Sequence, residues 1–239
     1  MSQSFAIAAL AALTAATVRG FAGFGSAMLL TPVLAALYGP TVGVTLSLLL
    51  EAGVGLPLLR GAVGLVNWRR IGLLFAAAVI AIPFGTWCLL QLDPQVLRWA
   101  IAAVVLAAVS LLAGGFRFTG APTRSAAALA GASSGFLNGL AGIGGPPIAF
   151  YYLAGSDSTA VIRASLTTYF VLIDLVAIGS LAVRGELAAE TLLNGAMLLP
   201  AVIVGGLLGE RLFPLASEAF YRRLALLLLI VVAIGSVLI

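Results

Sequence analysis

Long apolar stretches separated by short polar breaks run along almost the whole chain. The first stretch, residues 3–38, contains a glycine-rich motif, and apolar segments follow at roughly 41–59, 71–91 and 96–114. The same order returns in a segment at roughly 126–155 and in stretches at about 164–183, 191–209 and 224–239. Apolar runs of about 18 residues or more are typical of membrane-crossing helices. The pattern predicts an all-α polytopic membrane protein in which residues 1–239 form a single transmembrane domain.

The composition strengthens this prediction. Hydrophobic residues make up 62% of the 239 residues and charged residues only 8%, whereas a soluble domain carries roughly 25% charged residues. This excludes a soluble enzyme, a secreted disulfide scaffold and a disordered chain. It also excludes a soluble nucleic-acid binder, despite an isoelectric point near 9.8. The expected surroundings are therefore a lipid bilayer, with no nucleic acid as a partner.

Two copies of one pattern indicate an internal duplication. Residues 20–25 and 139–144 both read G-x-A-G-x-G, at an offset of 119, and residues 59–61 resemble residues 183–185 at an offset of 124. Several matches in the same order favour a duplicated unit. We divide the chain into repeat 1, about residues 1–119, and repeat 2, about residues 120–239.

The segment 3–38 decides the predicted topology. As one helix it would be about 52 Å long against a hydrocarbon core of about 30 Å, so it must break, and the glycines are the place. The break makes either an interrupted crossing or a hairpin of two short helices that returns to its starting side. All twelve basic residues are Arg, and eleven of them can be assigned to a side of the membrane. The hairpin places nine on one side and two on the other, whereas the single crossing places six on one side and five on the other.

Loops on the cytoplasmic side of a membrane carry an excess of Arg and Lys, so the uneven division is the expected one. We therefore predict two inverted structural repeats, each a Gly-broken helical hairpin plus three transmembrane helices. Both chain ends then lie outside the cytoplasm, and the loop at 61–69 lies inside it.

The two glycine breaks are the candidate binding site. Unwound backbone at membrane depth is tolerated only inside protein or beside a cavity, and paired broken helices mark transport sites. The helix after each break would present free N–H groups and the positive end of its dipole, which suits an anion. The alternative is close packing, which we assign to Gly131, Gly135 and Gly139. The predicted substrate-binding residues at the breaks are Gly23, Gly25, Ser26, Gly142, Gly144 and Gly145.

At these motifs the chain resembles the sulfite exporter TauE/SafE family. The matching stretches are residues 20–26 followed by Thr31-Pro32, and residues 139–147, which read Gly-Leu-Ala-Gly-Ile-Gly-Gly-Pro-Pro. Ser26 stands where a glycine often occurs in the family. The resemblance covers the whole chain and implies a multi-pass carrier of the bacterial inner membrane for sulfite, organosulfonates or related small anions. It does not fix the substrate.

Arg19 and Asn138 occupy equivalent positions directly before the two motifs. A buried Arg in a membrane segment costs roughly 2.5–3.5 kcal/mol on insertion scales unless it is paired or faces a cavity. Its planar donors match sulfite or sulfonate oxygens well, so we predict that Arg19 contacts the substrate. We also assign Asn138, its counterpart, to substrate binding. The alternative is an Arg at a helix end that reaches toward the membrane interface.

Glu51 and Asp174 are the other pair of polar residues in equivalent apolar segments. A carboxylate among apolar residues is costly in its charged form, so it can bind and release a proton during a transport cycle. We therefore assign proton coupling to this pair. The alternative is a buried ion pair with Arg19, which would be structural.

Residues absent from the chain narrow its chemistry. There is no His and no Lys, and Cys88 is the single cysteine, which excludes a His-ligated metal site, a Ser-His pair and a phosphate-binding G-x-x-x-x-G-K loop. We expect no catalytic residue, no metal and no cofactor, and hence a secondary transporter rather than an enzyme. A passive anion channel, or a carrier for another small organic anion, is the alternative. The oligomeric state stays open, a homo-oligomer included.

Overall fold

Every regular element in the described part of the protein is helical. The computed structural model describes residues 3–113, 123–153 and 157–215. The helices are α1 Gln3–Ala22, α2 Ser26–Tyr38, α3 Pro40–Ala62, α4 Trp68–Gln91, α5 Pro94–Ala113, α6 Arg124–Ala141, α7 Gly145–Leu153, α8 Thr159–Val183 and α9 Ala189–Leu212. Short 3-10 turns follow α3 and α9. The apolar segment predicted at 224–239 lies outside the described residues.

The helix ends are fixed by residues with a clear local preference. Gly39 has a φ of 87° and separates α2 from α3, whose first residue is Pro40. Proline suits a first helical turn because the amide hydrogen it lacks has no partner there. The side chains of Thr123 and Ser158 accept from the backbone N–H groups of the first turns of α6 and α8. The boundaries agree with the predicted segments to within a few residues.

Five of the described helical stretches are long and apolar enough to cross a membrane. They are α1, α3 with the turn that follows it, α4, α8 and α9. This confirms the all-α polytopic fold. The first hairpin differs from the expected pair of short helices, because α1 has 20 residues and α2 has 13. At 1.5 Å per residue α1 is about 30 Å long, the thickness of a hydrocarbon core, and only α2 is short.

The chain has two parts, α1 to α5 and α6 to α9, and helices of one part pack against helices of the other. We call these contacts exchanged pairs. The first helix of the first part, α1, packs along α9, and the first helix of the second part, α6, packs along α4. The central pair is α3 and α8. Each helix that precedes a glycine break is therefore held by a helix from the other part of the chain, and both breaks meet the central pair.

Glycine stripes allow these exchanged pairs to approach closely. A methyl group at Gly131, Gly135 or Gly139 of α6 would collide with backbone oxygen atoms of α4. Gly205 and Gly209 of α9 lie in the same way against backbone oxygen atoms of α1. Small residues at such contacts let helix backbones pack closely within a membrane, where lipid gives no hydrophobic drive for helix association. The predicted packing role of the three α6 glycines is confirmed.

Candidate functional site

The helices α1 and α6 end at the two breaks with the same local geometry. The N–H of Gly23 donates to the carbonyl of Arg19 over 2.7 Å, and the N–H of Gly142 donates to the carbonyl of Asn138 over 2.8 Å. Both glycines have a positive φ, 80° and 67°, which residues with a Cβ rarely adopt. The sequence match between Arg19 and Asn138 is therefore also a structural match.

Arg19 lies inside the protein and is held by two acids. Its side chain is only 3% exposed. One terminal nitrogen donates to Oε2 of Glu51, and the other lies 3.5 Å from Oδ2 of Asp174. The guanidinium carbon also lies 5.8 Å from the centre of the Phe170 ring. The alternative of an arginine that reaches toward the membrane interface is thereby excluded.

Each acid receives a second hydrogen bond from its own part of the chain. The hydroxyl of Ser26 donates to Oε2 of Glu51 over 2.7 Å, and the side-chain amide of Asn138 donates to Oδ1 of Asp174 over 3.2 Å. Five residues selected from the sequence are thus joined in one buried network, although they belong to α1, α2, α3, α6 and α8. We call these five residues the central network.

The formal charge of the central network is negative when both acids are ionised, since one arginine faces two carboxylates. Buried charges are tolerated when they are paired and hydrogen-bonded, as they are here. A proton on either carboxyl would make the network neutral. The buried ion pair that was the alternative to a proton site is therefore present. Because the central network has one more negative than positive charge, it can also bind one proton.

A cavity lies beside the central network and between the two breaks. Its volume is about 20 Å³, which is enough for one water molecule. Its walls come from both parts of the chain. The lining residues that belong to the breaks and the adjoining helix starts are Phe24, Gly25, Ala27, Met28, Gly142, Ile143, Gly144 and Gly145. Arg19, Glu51, Asn138, Asp174 and Phe170 complete the wall.

The motif glycines divide into open and packed positions. A methyl group at Gly145 would lie 3.9 Å from the Phe24 ring, and one at Gly25 would lie 3.8 Å from Val18, so both positions have room. A methyl group at Gly144 would lie 2.9 Å from the hydroxyl of Ser134. One at Gly23 would lie 3.0 Å from the backbone oxygen of Arg163. Close packing therefore already accounts for Gly23 and Gly144.

The two helices that begin at the breaks differ in the donors they offer. Ser26, Ala27 and Met28 open α2, and each has a backbone N–H. The first turn of α7 contains Pro146 and Pro147, which have none. The two prolines lie in the first turn, as the sequence indicates, so α7 offers fewer free N–H groups than α2. The N-terminus of α2 therefore has the larger set of backbone donors.

The structure adds residues to the site that sequence reasoning did not select. Phe24, Met28 and Phe170 line the cavity, and Ser134 donates to the carbonyl of Gly144 over 2.6 Å. Phe24 is part of the first motif, and Ser134 precedes the second motif by little more than one helical turn. Both could therefore have been selected from the sequence by their proximity to the motifs. Nothing in the sequence distinguished Met28 and Phe170 as site residues, because the residues around both are also apolar.

Within residues 3–113, 123–153 and 157–215, no group of three acidic, His or Cys side chains could hold a metal ion. The polar atoms beside the cavity are carboxylate, guanidinium, amide and hydroxyl groups. This set can exchange protons and bind an anion.

Comparison with known proteins decides the family. A family model described as sulfite exporter TauE/SafE matches residues 8–236. The chain belongs to the sulfite exporter TauE/SafE family. A relative from Cupriavidus necator strain H16, described as a probable sulfite/organosulfonate exporter TauE, is 28% identical over 215 residues. The alignment covers 85% of this chain and 82% of the relative. No solved structure matches the chain.

Membership of this family has direct consequences for class and location. The TauE/SafE family is a family of membrane exporters and not an enzyme class. Together with the five apolar helices, it makes the chain a multi-pass membrane protein, consistent with the bacterial inner membrane. The predicted membership of this family is confirmed.

Proposed function

We propose that this TauE/SafE protein is a secondary exporter of a small sulfur-containing anion, such as sulfite or an organosulfonate, and that its transport is coupled to protons. The observation that carries the proposal is the buried Arg19, shared by Glu51 and Asp174 beside a cavity between the two breaks. The named function of the Cupriavidus relative agrees with this substrate class.

The site suits a small oxyanion for electrostatic and geometric reasons. The guanidinium of Arg19 is planar and can donate two parallel hydrogen bonds to the oxygens of a sulfite or sulfonate group. The N-terminus of α2 adds backbone donors at the same cavity. Gly25 and Gly145 leave space for the ligand to approach the backbone. We assign anion binding to these groups, with Ser26, Asn138 and Gly142 as further polar or backbone contacts.

Proton coupling follows from competition for one cation. In the described conformation both terminal nitrogens of Arg19 are directed at carboxylates. An anion can replace a carboxylate at Arg19 only if that carboxylate gives up its negative charge, because two anions would otherwise share one buried cation. Protonation supplies this change. The bound anion and the bound proton therefore stabilise each other.

Asp174 is the acid we assign to carry the proton. Its oxygen lies 3.5 Å from Arg19, whereas Glu51 is in direct contact with Arg19 and also accepts from Ser26. The negative charge of Glu51 is therefore the better stabilised of the two. Glu51 would hold Arg19 in place, and Asp174 would release Arg19 to the anion.

The exchanged helix pairs support the proposal of two inverted repeats. Packing of α1 on α9 has its counterpart in packing of α6 on α4, and α3 meets α8, its own counterpart, at the centre. A two-fold relation between the parts of the chain would produce this pattern. Such a relation lets one half rock against the other around a central site, which is how many secondary transporters alternate their access.

The experiment that tests this function uses purified protein in proteoliposomes loaded with one candidate anion. We expect sulfite or an organosulfonate to exchange across the membrane and to accumulate when a pH gradient is imposed. A thermal-shift screen against sulfite, thiosulfate, sulfate, sulfoacetate, taurine and small carboxylates selects the anion. Flux that follows only the electrochemical gradient would show a passive anion channel, and a response confined to carboxylates would show a carrier for another organic anion.

A further inference from the structure

A second cavity lies at one end of the central pair of helices, α3 and α8. Its volume is about 80 Å³, against about 20 Å³ for the cavity beside the central network. A water molecule needs roughly 10–15 Å³ on this measure, so the second cavity has room for about five water molecules. A small oxyanion such as sulfite is comparable in size to a few water molecules. In the described conformation it fits in the second cavity, which we call the outer cavity, but not beside the central network.

The outer cavity reaches from the protein surface toward the interior. Its wall is formed by the end of α3 and the turn after it, the start of α8 and the turn after α9. Leu65, in the turn after α3, is 52% exposed, whereas Thr167 of α8 is 3% exposed. The turn after α3 is the one that we assign to the cytoplasm. The outer cavity therefore opens toward the compartment from which an exporter takes its substrate.

Arg163 gives the outer cavity a positive charge. Among the described residues that line it, Arg163 is the one with a formal charge, and Thr167 adds a hydroxyl group. Nε of Arg163 donates to the carbonyl of Gly20 over 3.1 Å, a terminal nitrogen donates to the same carbonyl, and the guanidinium carbon lies 4.5 Å from the centre of the Phe213 ring. These contacts fix the guanidinium plane at the cavity wall. Arginine has more N–H donors than one carbonyl can accept, so a guanidinium held in this way can also donate to an oxyanion.

The surroundings of Arg163 add one favourable and one unfavourable electrostatic contribution. Ala160, in the first turn of α8, lines the outer cavity, so the positive end of the helix dipole lies there too. A carboxylate oxygen of Glu210 lies 3.4 Å from the place that a methyl group on Gly61 would occupy, at the cavity rim. The negative charge of Glu210 opposes an anion, so its removal should strengthen anion binding.

The outer cavity and the central network lie along one face of α8. Arg163 and Thr167 line the outer cavity, and Phe170 and Asp174 line the cavity beside the central network. Steps of four, three and four residues place all four side chains on the same side of a helix. Arg163 and Asp174 are separated by about 16 Å along the helix axis. One helix face therefore connects the two cavities.

The space between the two cavities is filled at Gly55 of α3. A methyl group at Gly55 would collide with the side chain of Val171 and would lie 2.9 Å from a terminal nitrogen of Arg19. The guanidinium of Arg19 is thus part of the partition that separates the outer cavity from the cavity beside the central network. Movement of Arg19 away from its carboxylates would open this partition.

The sequence repeat does not itself require a cation at the outer cavity. With the offset of 123 between Glu51 and Asp174, Arg163 and Thr167 correspond to Pro40 and Val44. Both counterparts are apolar, so the first part of the chain has no matching pair of polar side chains. An anion site at Arg163 is therefore one-sided.

We propose that the outer cavity is a loading site, in which Arg163 binds the small oxyanion before the anion reaches Arg19. The inference rests on the proposed function, because it concerns the same anion. The described conformation has room for the anion at Arg163, while Arg19 is held by Glu51 and Asp174. Release of Arg19 then opens the partition and lets the anion pass along α8 to the central network.

The anion site is tested independently of transport by thiol reagents of opposite charge. Thr167→Cys and Gly64→Cys, each in a Cys88→Ser background, react in detergent with sulfonatoethyl methanethiosulfonate, which carries a sulfonate, and with its trimethylammonium analogue. We expect the ratio of anionic to cationic reaction rates to be about tenfold higher at Thr167→Cys, because a cavity lined by a cation concentrates anions. Gly64 is the control, since it is exposed and a methyl group there would meet no atom within 4 Å.

Two further substitutions assign the effect to named charges. Arg163→Gln, added to Thr167→Cys, should lower the rate ratio to that of the control, and Glu210→Gln should raise it. Ala164→Cys, at a buried position in the same wall, replaces Thr167→Cys if that variant does not fold. Equal ratios at the cavity and at Gly64, a ratio that Arg163→Gln leaves unchanged, or no reaction inside the cavity would overturn the loading site.

The role of Arg163 in transport is tested by sulfoacetate exchange in proteoliposomes. We expect Arg163→Gln to raise the sulfoacetate concentration at half-maximal rate about tenfold, with the maximal rate within about twofold of the wild type. Arg163→Lys keeps the charge and should restore most of the affinity. Arg69→Gln removes an exposed charge at the start of α4 and should change neither quantity. A lower maximal rate in Arg163→Gln, with an unchanged half-maximal concentration, would show that Arg163 only holds α1 and would overturn the proposal.

These results separate the loading site from the proposed function. A wild-type protein that exchanges none of the screened anions would refute the proposed function, whereas the reagent ratios would still decide whether Arg163 forms an anion site. Normal sulfoacetate exchange in the wild type, with equal reagent ratios at Thr167→Cys and Gly64→Cys, would refute the loading site alone.

Discussion

Arg19 of α1 and Asp174 of α8 are 155 residues apart in the sequence, yet a guanidinium nitrogen lies 3.5 Å from a carboxylate oxygen. The contact joins the break in the first part of the chain to α8 in the second part. Because Glu51 takes the other terminal nitrogen, one buried arginine is shared between the two parts of the chain. Release of Arg19 from either acid would loosen the connection between them.

Replacement of Arg19 by lysine is expected to weaken anion binding more than the retained charge suggests. A lysine ammonium cannot donate in a planar fork to two partners. We expect the affinity for the best ligand of the screen to fall at least about tenfold, which corresponds to about 1.4 kcal/mol. Calorimetry on the purified variant measures this. Arg98→Lys, at an exposed position on α5, is the control and should bind like the wild type.

Neutral variants of the two acids should separate their roles. Anion affinity in the wild type should rise as the pH falls, because a bound proton releases Arg19 to the anion, with a slope of up to about tenfold per pH unit for one linked proton. Asp174→Asn mimics the protonated acid, so its affinity should lose this pH dependence. In proteoliposomes it should keep anion exchange and lose uptake driven by a pH gradient.

Glu51→Gln should keep the pH dependence of binding if Glu51 mainly positions Arg19. Removal of one partner from a buried ion pair typically destabilises a protein by about 3–5 kcal/mol, so thermal unfolding of this variant is measured alongside binding. If both acid variants retain full pH-driven transport, the carboxylates are structural and the proposed coupling is wrong.

Methyl groups added at two glycines should have opposite effects. Gly145→Ala places its methyl group beside the cavity with only an ordinary contact to Phe24, so the protein should stay stable and bind the anion more weakly. Gly131→Ala drives its methyl group into the backbone oxygen of Leu74, so it should lower the unfolding temperature without reducing the affinity of the folded protein. Unchanged affinity in Gly145→Ala would place the substrate elsewhere.

The inverted arrangement predicts opposite sides for two exposed turns. Gly64, in the turn after α3, should face the cytoplasm, and Glu186, in the turn after α8, should face the opposite side. Single cysteines at these positions, in a Cys88→Ser background, are labelled with a membrane-impermeant thiol reagent before and after the membrane is opened. Labelling of both from the same side would contradict the inverted repeats.

Much of the fold follows from the sequence because helix boundaries and membrane length act locally. Apolar length predicted the crossing helices, and glycine or proline marked their ends, as Gly39 and Pro40 illustrate. The length of α1 was missed, because the motif glycine Gly20 is accommodated inside the helix, where it packs against Gly206 of α9. A contact with a distant helix cannot be read from local composition.

The residues of the central network could be predicted from the sequence repeat. Arg19 with Asn138 and Glu51 with Asp174 were selected as equivalent pairs, and the structure joins them with Ser26. The packing role of Gly144 could not be predicted from the sequence, because it depends on the position of Ser134 on the neighbouring helix. The smaller donor set of α7 follows from the sequence, because Pro146 and Pro147 lack an amide hydrogen.

The central claim is that one anion and one proton bind together at Arg19, and the number of protons taken up on binding tests it most directly. Calorimetric titration of the purified protein with sulfoacetate, in two buffers of different ionisation enthalpy, gives this number. We predict an uptake of about one proton per anion in the wild type and none in Asp174→Asn, as the linkage requires. Binding of sulfoacetate to the wild type with no proton uptake would contradict the account.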